Sequence, residues 1–178
     1  MESGSRKIES AVIVITGFMG SGKSTVARAL ASRLGSKAID LDGEILKREG
    51  RTAQHIIEED GEPTFRDIET RILRDVLQGK FAGIISLGGG AWVQEGNRDL
   101  IVAAESISVW LDAPFDLCWQ RILAGDQGRP LAKNEQDALD LYNKRRDAYA
   151  KASLRVEASK NKTADEIAAE IVEALERL

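Results

Sequence analysis

Nine consecutive residues, Gly17-Phe18-Met19-Gly20-Ser21-Gly22-Lys23-Ser24-Thr25, fit the pattern G-x-x-x-x-G-K-[ST] in full. Each residue type has a chemical reason to be there. Glycines 17, 20 and 22 permit backbone turns closed to larger residues, so that main-chain N–H groups can approach phosphate oxygens. Lys23 can bridge the β- and γ-phosphates of a nucleoside triphosphate and follow their charge during transfer. The Ser24 hydroxyl is placed to ligate Mg²⁺, and Thr25 sits beside it in the first helical turn. An incidental glycine-rich turn is the other reading, but an apolar strand precedes this segment and a helical pattern follows it. The motif calls for a nucleoside triphosphate with Mg²⁺, yet by itself it separates neither a hydrolytic switch from a kinase nor one acceptor from another.

Candidates for an acceptor side lie farther along. Ile39-Asp40-Leu41-Asp42 ends a second apolar strand, where two carboxylates can diverge toward metal and substrate; a plain helix N-cap at Asp42 is the alternative. Arg66 and Glu69, three apart, share one face of a helical segment. An arginine fork held by a glutamate suits a carboxylate ligand, although the same spacing also describes an ordinary surface ion pair. Gly88-Gly89-Gly90 follows a third apolar strand and suggests backbone lying against a ligand or a required positive φ, with a flexible turn as the other option. Arg129, in Gly128-Arg129-Pro130-Leu131, could close over a triphosphate from a flap across residues 124–134, or that stretch could be an inert surface loop. Arg145-Arg146-Asp147-Ala148-Tyr149 offers two more guanidiniums, of which at least one should be solvated.

The elements that must position these residues alternate in type. Short β-branched runs at 11–16, 38–41, 83–87, 106–111 and 154–157 read as strands buried on both faces. Helical patterns fall at 23–34, 43–49, 53–58, 63–78, 98–103, 114–123, 135–151 and 163–178. Pro63 and Pro114 suit first helical turns, while Gly35 and Gly79 fall where C-terminal caps do. Strand alternating with helix predicts a three-layer α/β/α fold on a parallel sheet of about five strands, the carboxyl ends of which face the ligand crevice.

Length and composition agree with one domain. The chain has 178 residues, 43% hydrophobic and 30% charged, with 25 Lys+Arg against 29 Asp+Glu for a net charge of −4. Broad electrostatic binding to nucleic acid or to an anionic membrane is therefore not expected. One cysteine, Cys118, rules out an intrachain disulfide and multi-cysteine zinc, and one histidine, His55, leaves no histidine pair for a metal. Residues 1–10 read as a polar tail, because the apolar run after Lys7 is too short for a signal peptide or a membrane span. His55 reads as a surface or packing residue, Trp92 as core or as an edge of the substrate pocket, Trp110 and Trp119 as core, Cys118 as an inactive thiol, and Asp112 as a cap for the helix after it.

The ordered set resembles the shikimate kinase family from about Ile13 to the C-terminus: GFMGSGKST at 17–25, D-x-D at Asp40 and Asp42, F-R-x-x-E at 65–69, G-G-G at 88–90, R-P-L at 129–131 and R-x-x-x-Y at 145–149. The resemblance implies a nucleoside monophosphate kinase-like fold over residues 1–178, with a helical acceptor-binding region at about 43–79 and a lid at about 124–134. It implies phosphorylation of the 3-hydroxyl of shikimate by ATP, a step toward chorismate and the aromatic amino acids, in a cytoplasmic monomer. By the same resemblance Gly20, Ser21, Gly22, Lys23, Ser24, Thr25 and Arg129 bind the nucleotide, with Ser24 on Mg²⁺ and Asp40 toward the hydrated ion. Asp42 holds the acceptor hydroxyls and is placed to take the reacting proton; Arg66, Gly89 and Arg145 bind the rest of shikimate, and Glu69 orients Arg66. Three positions depart from the family pattern. Arg146-Asp147-Ala148 stands where proline and a bulky residue are usual, leaving Arg146 as an alternative to Arg145; Ser86-Leu87 stands where threonine usually precedes the glycines; and Ala132 replaces a second leucine. Arg121 is a candidate to stack on adenine, with the loop at 159–163 opposite. A related kinase for gluconate or a nucleoside monophosphate, and a non-catalytic nucleotide-binding protein, are the competing readings.

Overall fold

The computed structural model describes residues 11–79, 83–125 and 134–178. Five parallel strands form one sheet: β1 (Ile13–Thr16), β2 (Lys37–Asp40), β3 (Gly83–Ser86), β4 (Ile107–Asp112) and β5 (Leu154–Glu157), in the order β2-β3-β1-β4-β5. β1 and β3 are buried at every position, as their unbroken apolar runs require of strands covered on both faces. Eight α-helices join or flank the strands among the described residues: α1 (Lys23–Arg33), α2 (Leu41–Glu49), α3 (Ala53–Asp60), α4 (Glu62–Gln78), α5 (Glu95–Ala103), α6 (Phe115–Ala124), α7 (Glu135–Tyr149) and α8 (Ala164–Leu175). The chain thus has the expected α/β class, sheet and strand count.

The sheet sets the carboxyl ends of its strands along one edge. β1 opens into the phosphate loop, β2 ends at Asp40, β3 runs on to the three glycines, and β4 ends at Asp112. Parallel register pairs Asp40 with Ser86 and Asp112 with Glu157, so groups from distant segments lie side by side. Helices α2, α3 and α4 carry the expected acceptor-binding stretch and bury Ile45, Ile56, Phe65, Ile72 and Leu73. Exposed or half-exposed ion pairs, Arg48 with Asp75 and Arg71 with Glu49, run between α2 and α4, and Arg48 also pairs with Glu44 within α2. Pairs this solvated contribute little to stability.

Helix boundaries depart from expectation for local reasons. α2 starts at Leu41 rather than 43, because Asp40 and not Asp42 is the cap: the Asp40 Oδ1 accepts from the Gly43 N–H at 3.1 Å. Asp42 is thereby drawn into the first helical turn. Pro63 does lie in the first turn of α4, whereas Pro114 is the residue before α6. A single 3₁₀ turn, Ala91–Val93, follows the glycines, and α5 begins at Glu95 instead of 98.

The fully buried Leu30 of α1 belongs to the core cluster that also holds Ile13, Ile15, Ala168 and Ile171. Leu30→Ala should lower the unfolding free energy by about 2–5 kcal/mol, read from the midpoint of urea denaturation at unchanged slope.

Candidate active site

The phosphate loop has the geometry of an anion seat. Gly22 is the residue before α1, at φ +98°, and no side chain caps this helix start; Thr25 N–H donates to the Gly22 carbonyl at 3.1 Å, and the positive end of the helix faces the loop, as an anion seat requires. Gly20 has no substitute: its φ is +75°, and a Cβ there would lie 2.5 Å from the Cys118 carbonyl oxygen. Lys23 is almost fully buried and donates from Nζ to the Phe18 carbonyl at 2.7 Å, folded over its own loop. Arg121, on α6, donates from Nη1 to the carbonyls of Gly20 at 3.2 Å and Ser21 at 3.1 Å. That guanidinium braces the loop from outside, a contact its sequence position did not disclose.

Beside the loop lies a cluster of hard oxygen donors. Ser24 Oγ donates to Asp40 Oδ2 and stands 3.3 Å from the buried Ser86 hydroxyl. Asp40 therefore serves twice, capping α2 with one oxygen and holding Ser24 with the other. Ser86 supplies a hydroxyl next to Ser24 although the residue directly before the glycines, Leu87, has none. Among the described residues no group of three His, Cys, Asp or Glu side chains could hold a metal. Hydroxyls and a single carboxylate beside a phosphate seat instead fit Mg²⁺, which takes few protein ligands and completes its shell with phosphate oxygens and water.

A cleft of about 880 Å³ runs from Lys23 and Ser24 past Asp42 to Arg66, Gly89 and Arg145. Arg66 is held on two sides: Nη1 donates to Glu69 Oε2 at 2.8 Å, and Nε and Nη2 donate to Glu62 Oε1 at 3.2 and 2.9 Å. Its side chain is only 13% exposed and Glu69 1%, so this is no surface pair. None of Gly88, Gly89 and Gly90 has a positive φ. Their reason is close approach: a Cβ on Gly88 would lie 2.9 Å from Asp42 Oδ1 and 3.2 Å from Glu69 Oε1, one on Gly90 2.5 Å from Arg66 Nη2, and one on Gly89 3.3 Å from the Met19 backbone nitrogen, with Arg145 Nη1 in ordinary contact at 3.5 Å. The glycines thus lie directly against the charged groups of Asp42, Glu69, Arg145 and Arg66, which neither a flexible turn nor strained backbone would explain.

Arg145 and Arg146 part company. Arg145 is buried and lines the cleft. Arg146 turns away to Asp112, at 3.0 and 3.3 Å. Asp112 is therefore not a helix cap; it pairs with both Arg146 and Arg155. Tyr149 Oη donates to the Gly89 carbonyl at 2.6 Å and Trp92 Nε1 to the Ala148 carbonyl at 2.8 Å, tying α7 to the glycine segment.

Burial shapes the titrations. Desolvation pushes the Glu69 carboxyl up to about 7 against the pull of Arg66, with Asp42 adding to the rise and Arg145 opposing it. Glu69 Oε1 has no hydrogen-bond partner among the described residues. Burial likewise lifts the Cys118 thiol to about 11, which keeps it protonated and inert as a nucleophile.

The remaining expected residues fall as follows. Thr25 is exposed at the start of α1 and lines the cleft; Ser21 is buried. His55 is exposed at the cleft rim, Trp92 and Trp110 are core, and Trp119 is only half-buried, stacked on Phe115. Arg129 and most of the expected lid, 126–133, lie outside the described residues, as does the expected tail at 1–10. The pattern had singled out Asp40, but Ser86 and the bracing role of Arg121 needed register and packing to emerge.

Known proteins are similar along nearly the whole chain. The family model described as shikimate kinase matches residues 19–176. A shikimate kinase of Geobacter sulfurreducens is 41% identical over 162 residues, 89% of this chain and 87% of that one. The solved shikimate kinase of Acinetobacter baumannii in complex with shikimate superposes with a TM-score of 0.86 at 34% identity, covering 96% of each chain. A gluconokinase of Sinorhizobium meliloti shares the fold at TM-score 0.66 and 19% identity, over 95% of this chain and 93% of that one.

Glu69 gives a pH test. Its folded-state pKa, about 7, lies above the ordinary 4.5, so its contribution to stability is fully present below pH 4.5 and is lost as pH rises through about 7. Relative to Glu69→Gln, the unmodified chain should lose on the order of 3 kcal/mol between pH 4 and 8. Identical pH slopes for the two proteins in denaturant titrations would contradict the burial argument.

Proposed function

The chain belongs to the shikimate kinase family, and from that premise we propose that it transfers the γ-phosphoryl group of ATP, as the Mg²⁺ complex, to the 3-hydroxyl of shikimate, giving 3-phosphoshikimate and ADP. The reaction serves aromatic amino acid biosynthesis. One observation carries the reading: a single cleft joins the phosphate seat of Lys23 and Ser24 to a buried Arg66–Glu69 pair, Asp42 and Arg145.

Each side chain then has a task. Two guanidiniums, Arg66 and Arg145, suit the planar carboxylate of shikimate, and Glu69 holds the Arg66 fork in one rotamer. Asp42, packed beside Gly88, receives the ring hydroxyls and accepts the proton of the reacting one. Lys23 exchanges the Phe18 carbonyl for phosphate oxygens and follows the transferring charge. Ser24, Asp40 and Ser86 are the residues to hold the metal and its water; Mg²⁺, when bound, neutralises charge on the β- and γ-phosphates. Because phosphoryl transfer passes through a loose transition state, alignment and charge neutralisation supply most of the acceleration, and a strong base is unnecessary. Gly20, Ser21, Gly22 and Thr25 frame the nucleotide phosphates, Gly89 closes the acceptor pocket, and Arg129 completes the charge around the triphosphate.

The protein acts as a cytoplasmic monomer in this reading. No helix among the described residues is long and apolar enough to cross a membrane.

ADP release from MgATP, followed in a coupled assay with shikimate, gluconate, AMP, CMP or no acceptor, tests the proposal. Turnover should require shikimate, and turnover with gluconate or a nucleotide alone would overturn the acceptor assignment. Lys23→Ala should cut kcat by about 100-fold or more. Arg66→Ala should raise the shikimate KM by about 10- to 100-fold with little change for ATP. Gly90→Ala should act in the same direction, since its Cβ would displace the Arg66 guanidinium.

A further inference from the structure

Arg146 makes no contact with the acceptor cleft, yet it is the most elaborately held side chain on α7. Its Nη1 donates to Asp112 Oδ1 at 3.0 Å and to Tyr142 Oη at 2.7 Å, and Nη2 donates to Asp112 Oδ2 at 3.3 Å. The guanidinium carbon lies 5.0 Å from the centre of the Trp110 ring and 5.4 Å from that of Tyr142. Tyr142 in turn donates to the Ala113 carbonyl at 3.0 Å. Every one of these partners except Tyr142 belongs to β4 or the residue directly after it.

Consecutive residues on an α-helix project about 100° apart, so fixing one fixes the direction of the next. With Arg146 bound to the end of β4, Arg145 must face the cleft, on the same side as Tyr149 four residues on. Tyr149 and Ala148 meet the glycine segment through Gly89 and Trp92. Helix α7 is thus held against rotation from two sides, the sheet at Asp112 and the glycines at Gly89. We propose that Arg146, through Asp112, is a positioning residue for shikimate binding: it sets the rotation of α7 so that Arg145 reaches the acceptor carboxylate. The proposal rests on the kinase reading above.

The arrangement permits a clean test. Asp112 keeps Arg155 when Arg146 is removed, through Nε at 2.9 Å and Nη2 at 2.7 Å, so no buried carboxylate is stranded. Arg146→Met retains an apolar stem against Trp110 without the charge. Its shikimate KM should rise about 10-fold while the ATP KM and kcat stay within about twofold. Arg146→Lys, which can still reach Asp112, should recover part of the loss, and Asp112→Asn should reproduce the Arg146→Met effect. In an Arg145→Ala background, adding Arg146→Met should change the shikimate KM less than twofold, because the group it positions is already gone. An unchanged shikimate KM in both Arg146→Met and Asp112→Asn would overturn the inference. So would an equal rise in the ATP KM, or full additivity with Arg145→Ala. Absence of shikimate-dependent turnover in the unmodified chain would overturn the kinase reading itself, and this inference with it.

Discussion

Four charged side chains, Asp42, Glu69, Arg66 and Arg145, converge on three residues of backbone that have no side chains, and the half of the cleft beyond the phosphate loop depends on that contact. Burying charge is costly unless it is paired and hydrogen-bonded. Here the cost is offset by two carboxylates beside Gly88 facing two guanidiniums beside Gly89 and Gly90, and by the Arg66–Glu69 pair at 2.8 Å. Glu69 records what is left uncompensated, in a carboxyl lifted to about 7. Arg66 is held in place before any ligand arrives, by hydrogen bonds to Glu69 on one side and Glu62 on the other.

The segment that receives these charges is itself fastened from behind. Asn97 donates to the Ala91 carbonyl at 2.9 Å and Arg98 to those of Trp92 and Val93 at 2.9 and 2.8 Å, so the start of α5 holds the 3₁₀ turn that follows the glycines. On the phosphate side the equivalent economy is Asp40, one carboxylate that caps α2 and binds Ser24. Both halves hang from the carboxyl edge of one parallel sheet. Register between β2 and β3 brings Asp40 level with Ser86, and the step from β3 into the glycines brings Asp42, Arg66, Glu69 and Arg145 into one cleft with the phosphate loop.

Much of this was legible in the chain. Alternating strand and helix patterns located all five strands, and the phosphate loop, the F-R-x-x-E pair and the three glycines were marked by residue types that carry chemistry. Other features were not. Asp40 and Asp42 are two apart, and either could cap a helix; only the helix start at Leu41 decides that Asp40 does. Arg145 and Arg146 are chemically identical and adjacent, so only the rotation of α7 distinguishes the one in the cleft from the one on Asp112.

What the sequence by itself determined is therefore the inventory: fold class, the anion seat, and the side chains able to grip a carboxylate. Those follow from short-range pattern, since periodicity, glycine conformations and motif spacing are properties of neighbouring residues. Tertiary structure decided the assignments: Ser86 beside Ser24 across 62 residues, Gly88 against both Asp42 and Glu69, and Arg146 on the end of β4. The physical reason is that each of these depends on strand register, helix rotation or burial, and all three arise from packing between segments far apart in the chain.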